Sequence, residues 1–140
     1  MATTQIFVNL PVQDLDRSRQ FFGALGYRFD PQFTNQDAAC MIVEEGIYVM
    51  LLTEGFFRTF CPGKEVCDTG SSAEVLVCLT CPTREHVDDL VRKAVAAGGS
   101  TPRPPQDQGF MYGHAYEDLD GHIWELIAMT PAEEKAADTR

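Results

Sequence analysis

Glu117-Asp118-Leu119-Asp120-Gly121-His122-Ile123-Trp124-Glu125-Leu126 is the stretch that decides the fold. Its centre, Asp118-Leu119-Asp120-Gly121, has turn chemistry: aspartate side chains fold back onto nearby backbone, and glycine accepts a positive φ. Phe110–Glu117 before it and His122–Met129 after it read as strands, so the chain is expected to close on an antiparallel hairpin. A four-residue turn would set Tyr116 against Ile123, His114 against Glu125 and Tyr112 against Ile127. Tyr112, His114, Tyr116 and Glu125 would then share one face. Trp124, Leu126 and Ala128 would share the other, suited to packing under a helix.

Working outward, the hairpin ends a series of elements that occurs twice. In the second half Glu74–Cys81 reads as a strand and Thr83 as an N-cap. A helix follows with Val87, Leu90, Val91, Ala94 and Val95 on one face, stopped at Gly98-Gly99. Thr101–Pro105 is proline-rich and extended. In the first half Ile6–Val12 is a strand, Asp14 caps a helix over Leu15–Leu25, and Gly26 stops it. Tyr27–Asp30, Ala38–Glu44 and Ile47–Thr53 are further strands, the last two forming a hairpin at Glu45-Gly46. Phe7 and Leu76, and the caps Asp14 and Thr83, are 69 residues apart; Gly46 and Gly121 are 75 apart. A repeat that drifts only at a helix and a loop implies α+β architecture: two tandem β-α-β-β-β units forming a cupped, barrel-like mixed sheet with helices outside.

Residues 1–130 are expected to form one domain, with unit one at about 4–54, a crossover at about 55–72 and unit two at about 73–130. Residues 131–140 read as a polar tail. The crossover carries Phe56, Phe57 and Phe60 beside Pro62 and Gly63, so it is expected to pack against something.

The chain has 140 residues and a formal net charge of −10, with 21 acidic residues against 11 basic ones. No basic cluster marks a face for phosphate neutralisation, so neither nucleic acid nor an anionic membrane is an expected partner. No apolar run approaches the ~20 residues of a membrane span, and no secretory leader is visible, which makes the cytoplasm the expected location. The cysteines number 5, an odd count that argues against a disulfide framework. Cys78 and Cys81 sit on a strand run, where residues three apart point to opposite faces, so they are read as small buried hydrophobes and not as a redox or metal pair.

Val12-Gln13-Asp14-Leu15-Asp16-Arg17-Ser18, Phe21-Phe22 and Leu25-Gly26-Tyr27 resemble the first unit of the vicinal oxygen chelate proteins, the glyoxalase/bleomycin-resistance/dioxygenase superfamily. The closing phrase Glu117–Leu126 is similar to that superfamily's last hairpin, and the resemblance extends to Met129. It implies the doubled fold, a small-molecule pocket in the trough of the sheet and a homodimer. It does not select an activity.

Metal-dependent members bind a divalent ion with four side chains from the first and last strands of each unit. The corresponding positions here are Phe7, Met50, Leu76 and Glu125, and three of these offer no hard N or O donor. The resemblance and this mapping together imply a protein that binds a small organic molecule without the usual metal and without another cofactor. Candidate ligand contacts are Phe7, Asn9, Met50, Leu76, Tyr112 and Tyr116. His114 and Glu125, if paired, are candidate catalytic groups, with the carboxylate raising the imidazole pKa; the same pair also serves as mutual satisfaction of two polar groups. A substitute metal trio of Glu74, His114 and Glu125 is the low-ranked alternative. Two other functions stay open: a metal-dependent glyoxalase-type lyase or isomerase, and an antibiotic-sequestering protein. No hydrolase elbow, P-loop or dinucleotide fingerprint is present.

Overall fold

The computed structural model describes residues 2–129; the expected tail at 131–140 lies outside the described residues. In chain order the elements are β1 (Ile6–Val12), α1 (Leu15–Ala24), β2 (Arg28–Asp30), β3 (Ala38–Glu44), β4 (Ile47–Thr53), α2 (Glu54–Arg58), β5 (Leu76–Thr80), α3 (Arg84–Ala96), β6 (Gln106–Asp107), β7 (Met111–Glu117) and β8 (Ile123–Met129). The chain divides into two compact units between Asp68 and Thr69. The strands form two four-stranded sheets, ordered β1-β4-β3-β2 and β5-β8-β7-β6. In each sheet the first strand runs parallel to the last, and the other neighbours are antiparallel. The fold class is α+β with a duplicated β-α-β-β-β unit, as the repeat implied.

In unit one, the Asp14 carboxylate accepts from the Arg17 backbone N–H at 3.1 Å and starts α1. The helix buries Leu15, Ser18, Phe21 and Phe22. Leu10 and Val12 of β1 share a sheet face with Val49 and Leu51 of β4 and Ala39 and Met41 of β3, and all are buried. The opposite face carries Phe7 and Asn9 beside their β4 partners Tyr48 and Met50. Alternation along each strand thus separates a helix-side core from an open face.

In unit two, the Thr83 hydroxyl accepts from the His86 backbone N–H at 3.0 Å and starts α3. Val87, Leu90, Val91 and Ala94 are buried as expected, but Val95, at 48% exposure, is not; the buried stripe stops one residue short of it. Trp124 and Tyr116 are fully buried, their rings 6.0 Å apart and nearly parallel.

The closing hairpin departs from the expected register. Glu117 pairs with Ile123, Tyr116 with Trp124, Ala115 with Glu125, His114 with Leu126 and Tyr112 with Ala128. The connection is five residues, Asp118 to His122, and not four. Asp118 is the cause. Its Oδ1 accepts from the backbone N–H of Asp120 at 2.9 Å and of His122 at 3.0 Å, and its Oδ2 accepts from Trp124 Nε1 at 3.0 Å. The Asp118 N–H also donates to the His122 carbonyl at 3.0 Å. Asp118 is only 6% exposed, and burial is the main influence raising its carboxyl above the usual range, opposed by the His122 charge and the Trp124 hydrogen bond. His122 closes the turn and is itself buried.

Two further features concern the connections. The crossover contains α2, capped by Thr53, with Phe56 and Phe60 edge to face at 5.1 Å; Phe60 remains 66% exposed. Gly46 and Gly121, equivalent in the repeat, both have positive φ, and a Cβ at either would collide with a backbone carbonyl, that of Thr4 or Thr69 respectively.

Asp118→Asn should therefore destabilise the protein by about 1–3 kcal/mol, because the amide turns a donor toward the Trp124 N–H in a buried site. Urea denaturation checks this, and an unchanged midpoint would contradict the role given to Asp118.

Candidate functional site

The one-residue change in register redistributes the candidate residues. Antiparallel partners share a face, so Ala115 and Glu125 lie on one face of the second sheet, and His114, Tyr112 and Tyr116 lie on the other with Trp124, Leu126 and Ala128. His114 and Glu125 are therefore on opposite faces and do not form the expected pair. Tyr112 and Tyr116 likewise leave the open face and pack on the side of α3.

Tyr112 joins a polar cluster there. Its hydroxyl donates to Asp88 of α3 at 2.5 Å, and the Arg84 guanidinium stands 5.3 Å from its ring centre. Arg84 also donates to Asp107 at 2.6 Å and to the Gly109 carbonyl at 3.0 Å, tying the start of α3 to the end of β6 and the turn after it. The hydrogen bond to Asp88 is the main reason the Tyr112 phenol is pushed up to about 12.

His114 is affected in the direction opposite to that expected of a carboxylate-paired histidine. Burial is the largest cause lowering its pKa; the nearby Arg103 charge lowers it further, and Asp88 works against both. Its Nδ1 is buried with no hydrogen-bond partner among the described residues.

The open face of unit two is organised around Glu125. On the neighbouring strands Cys78 and Ala115 stand level with it, flanked by Leu76 with Ile123 on one side and Thr80 with Ile127 on the other. Leu76 is 56% exposed. Cys78 is exposed and not buried as expected, because β5 is the edge strand of its sheet. Burial and the Glu125 charge raise its thiol pKa, which makes it a poor nucleophile. In unit one the open face carries Phe7, Asn9 and Met50 together, with Phe7 stacked on Tyr48 at 4.7 Å.

Arg103 is the residue that sequence reasoning missed. Its Nη1 and Nη2 donate to the two carboxylate oxygens of Glu125 at 2.8 and 2.7 Å, a bidentate fork. The two side chains are 34% and 22% exposed. Arg103 comes from the segment before β6, and β7 lies between β6 and β8. The reach is open because β7 offers only Ala115 at that level. The available signal was a lone cation held among Pro102, Pro104 and Pro105, whose fixed φ values stiffen the segment.

The residues present do not fit the superfamily's divalent ion. Phe7, Met50 and Leu76 provide no suitable donors, and Glu125 already holds a guanidinium. The substitute trio does not assemble: His114 is on the wrong face, and Glu74 precedes β5. Among the described residues no group of three or more His, Cys, Asp or Glu side chains is placed to hold a metal.

These features define the class, an α+β protein of doubled β-α-β-β-β units with one face of each sheet away from its helix. The fold is that of the glyoxalase/bleomycin-resistance, or vicinal oxygen chelate, proteins. The profile of the bleomycin resistance protein-like N-terminal family matches residues 4–43. The hypothetical protein SA1046 from S. aureus is 32% identical, with 91% of this chain and 95% of that one covered and a TM-score of 0.74. A glyoxalase-related enzyme from Fulvimarina pelagi is 24% identical, with 89% and 87% covered and a TM-score of 0.72. A glyoxalase/bleomycin resistance protein/dioxygenase family enzyme from Burkholderia phytofirmans PsJN is 16% identical, with 89% and 97% covered and a TM-score of 0.75. The last two likenesses are of fold alone. A comparison with curated proteins gives no match. No helix among the described residues is long and apolar enough to cross a membrane.

The lowered His114 pKa has a checkable sign. The folded state favours the neutral ring, so the stability tied to His114 is fully present above the ordinary value of 6.5 and is lost as pH falls through the lowered folded value. An NMR titration should place the His114 midpoint below 6.5; a midpoint above it, as carboxylate pairing would produce, contradicts the placement.

Proposed function

We propose that this chain holds a small organic molecule on the open face of its second sheet, without the divalent ion used by metal-dependent relatives. The observation that carries the reading is the Arg103–Glu125 fork. At the mapped position where a relative would present a metal ligand, this chain presents a carboxylate already neutralised by its own cation. Leu76, Ile123 and Ile127 add apolar surface beside that pair, and a mainly apolar face with a few fixed polar groups is the usual composition of a small-molecule site. Nothing in this arrangement requires turnover, and His114 takes no part in it.

A homodimer belongs to the same reading. β1 and β5 are edge strands, and Ile6, Phe7 and Leu76 leave exposed apolar side chains along them. Sequestration of an antibiotic is the second reading, favoured by the match of residues 4–43 to the bleomycin resistance protein-like N-terminal family.

Elemental analysis of protein purified without chelators tests the reading. The expected result is no stoichiometric Zn, Ni, Mn or Fe, and a thermal midpoint unchanged by EDTA. A stoichiometric ion that disappears in Glu125→Ala would sink the metal-free reading and favour the glyoxalase-type lyase or isomerase.

A further inference from the structure

The Arg103–Glu125 fork also constrains the chemistry of the ligand. A guanidinium carries five N–H donors in one plane. The fork engages one on Nη1 and one on Nη2; the Nε–H and the other two have no acceptor among the described residues. Glu125 fixes the plane of the group, and the flanking prolines stiffen the segment that delivers it. The open face therefore presents a set of oriented donors whose position is settled before a ligand arrives.

Charge decides what those donors take. Arg103 and Glu125 compensate one another, so the pair offers no net attraction to an ion of either sign. An incoming carboxylate would have to approach Glu125 as well as Arg103, within a protein of net charge −10. An incoming ammonium would meet a carboxylate whose charge Arg103 already compensates and whose two oxygens are both engaged. A neutral carbonyl meets neither obstacle and satisfies the spare N–H groups. Leu76, Ile123 and Ile127 on the same face suit an apolar body attached to it.

Resting on the binding role proposed above, we infer that the site takes an uncharged molecule with a carbonyl-type acceptor and an apolar body. Arg103 is the group that recognises the carbonyl, and Glu125 is the residue that positions Arg103. A cationic ligand, which the acidic composition alone would suggest, is disfavoured.

Four probes that share one ring test this: benzamide, benzoate, benzylammonium and toluene, each titrated into the full ¹⁵N- and methyl-labelled chain. Benzamide should move the Arg103 Nε–H signal and bind more tightly than either ion. In Arg103→Met its Kd should rise about fivefold, the share of one hydrogen bond. Arg103→Lys keeps the charge but not the fork, and it provides the same comparison if Arg103→Met does not fold. The inference is overturned by an unchanged benzamide Kd in the variant, by tighter binding of either ion, or by no movement of the Arg103 signal with any probe. If toluene shifts the methyl signals of Leu76, Ile123 and Ile127 as strongly as benzamide does, the carbonyl preference falls and the binding role stands. If no probe shifts those methyl signals, both fall.

Discussion

The buried carboxylate of Asp118 sets the geometry of the second unit. By accepting from two backbone N–H groups of its own loop and from the Trp124 indole, it holds a five-residue connection between β7 and β8. Side chains alternate along a strand, so one residue in that connection decides which face every group on β7 occupies relative to β8. The five-residue loop places Ala115 level with Glu125 and sends His114 to the helix side. Everything said of the site depends on that placement. With the other register, a bulky imidazole would occupy the position that Ala115 leaves open, and Arg103 would find its path to Glu125 filled.

Most of the fold was legible because it is written in local chemistry. Asp14 and Thr83 start their helices through hydrogen bonds within the first turn, and glycines at Gly26 and Gly98 end them with positive φ. The duplication could be read from the spacing of those signals. Register was less legible, since Asp118-Leu119-Asp120-Gly121 is compatible with turns of more than one length, and the choice depends on a side-chain acceptor and an indole six residues away. The repeat did hold the answer: Cys40 pairs with Met50 in unit one, and the same 75-residue offset leads to Ala115 and Glu125.

The site was legible only in part. The apolar character of Phe7, Met50 and Leu76 follows from the sequence once the repeat is aligned, and each lies on the open face of its own sheet. Arg103 did not follow. It acts across an intervening strand on a residue 22 positions away, and no periodicity joins an irregular proline-rich segment to the middle of β8. On the proposed reading, its contribution is also what sets this chain apart from a metal-binding relative. A divalent ion can be exchanged, whereas a guanidinium brought in by the chain is permanent, and it presents N–H donors in place of open coordination positions.

On the proposed reading, Glu125 is committed to Arg103 in place of a metal ion. Anomalous diffraction from crystals grown with zinc chloride tests it most directly. The Arg103 fork is expected to stay in place on both carboxylate oxygens, with no anomalous peak at Glu125. A zinc peak about 2.0–2.2 Å from a Glu125 oxygen, with the guanidinium displaced, would contradict it.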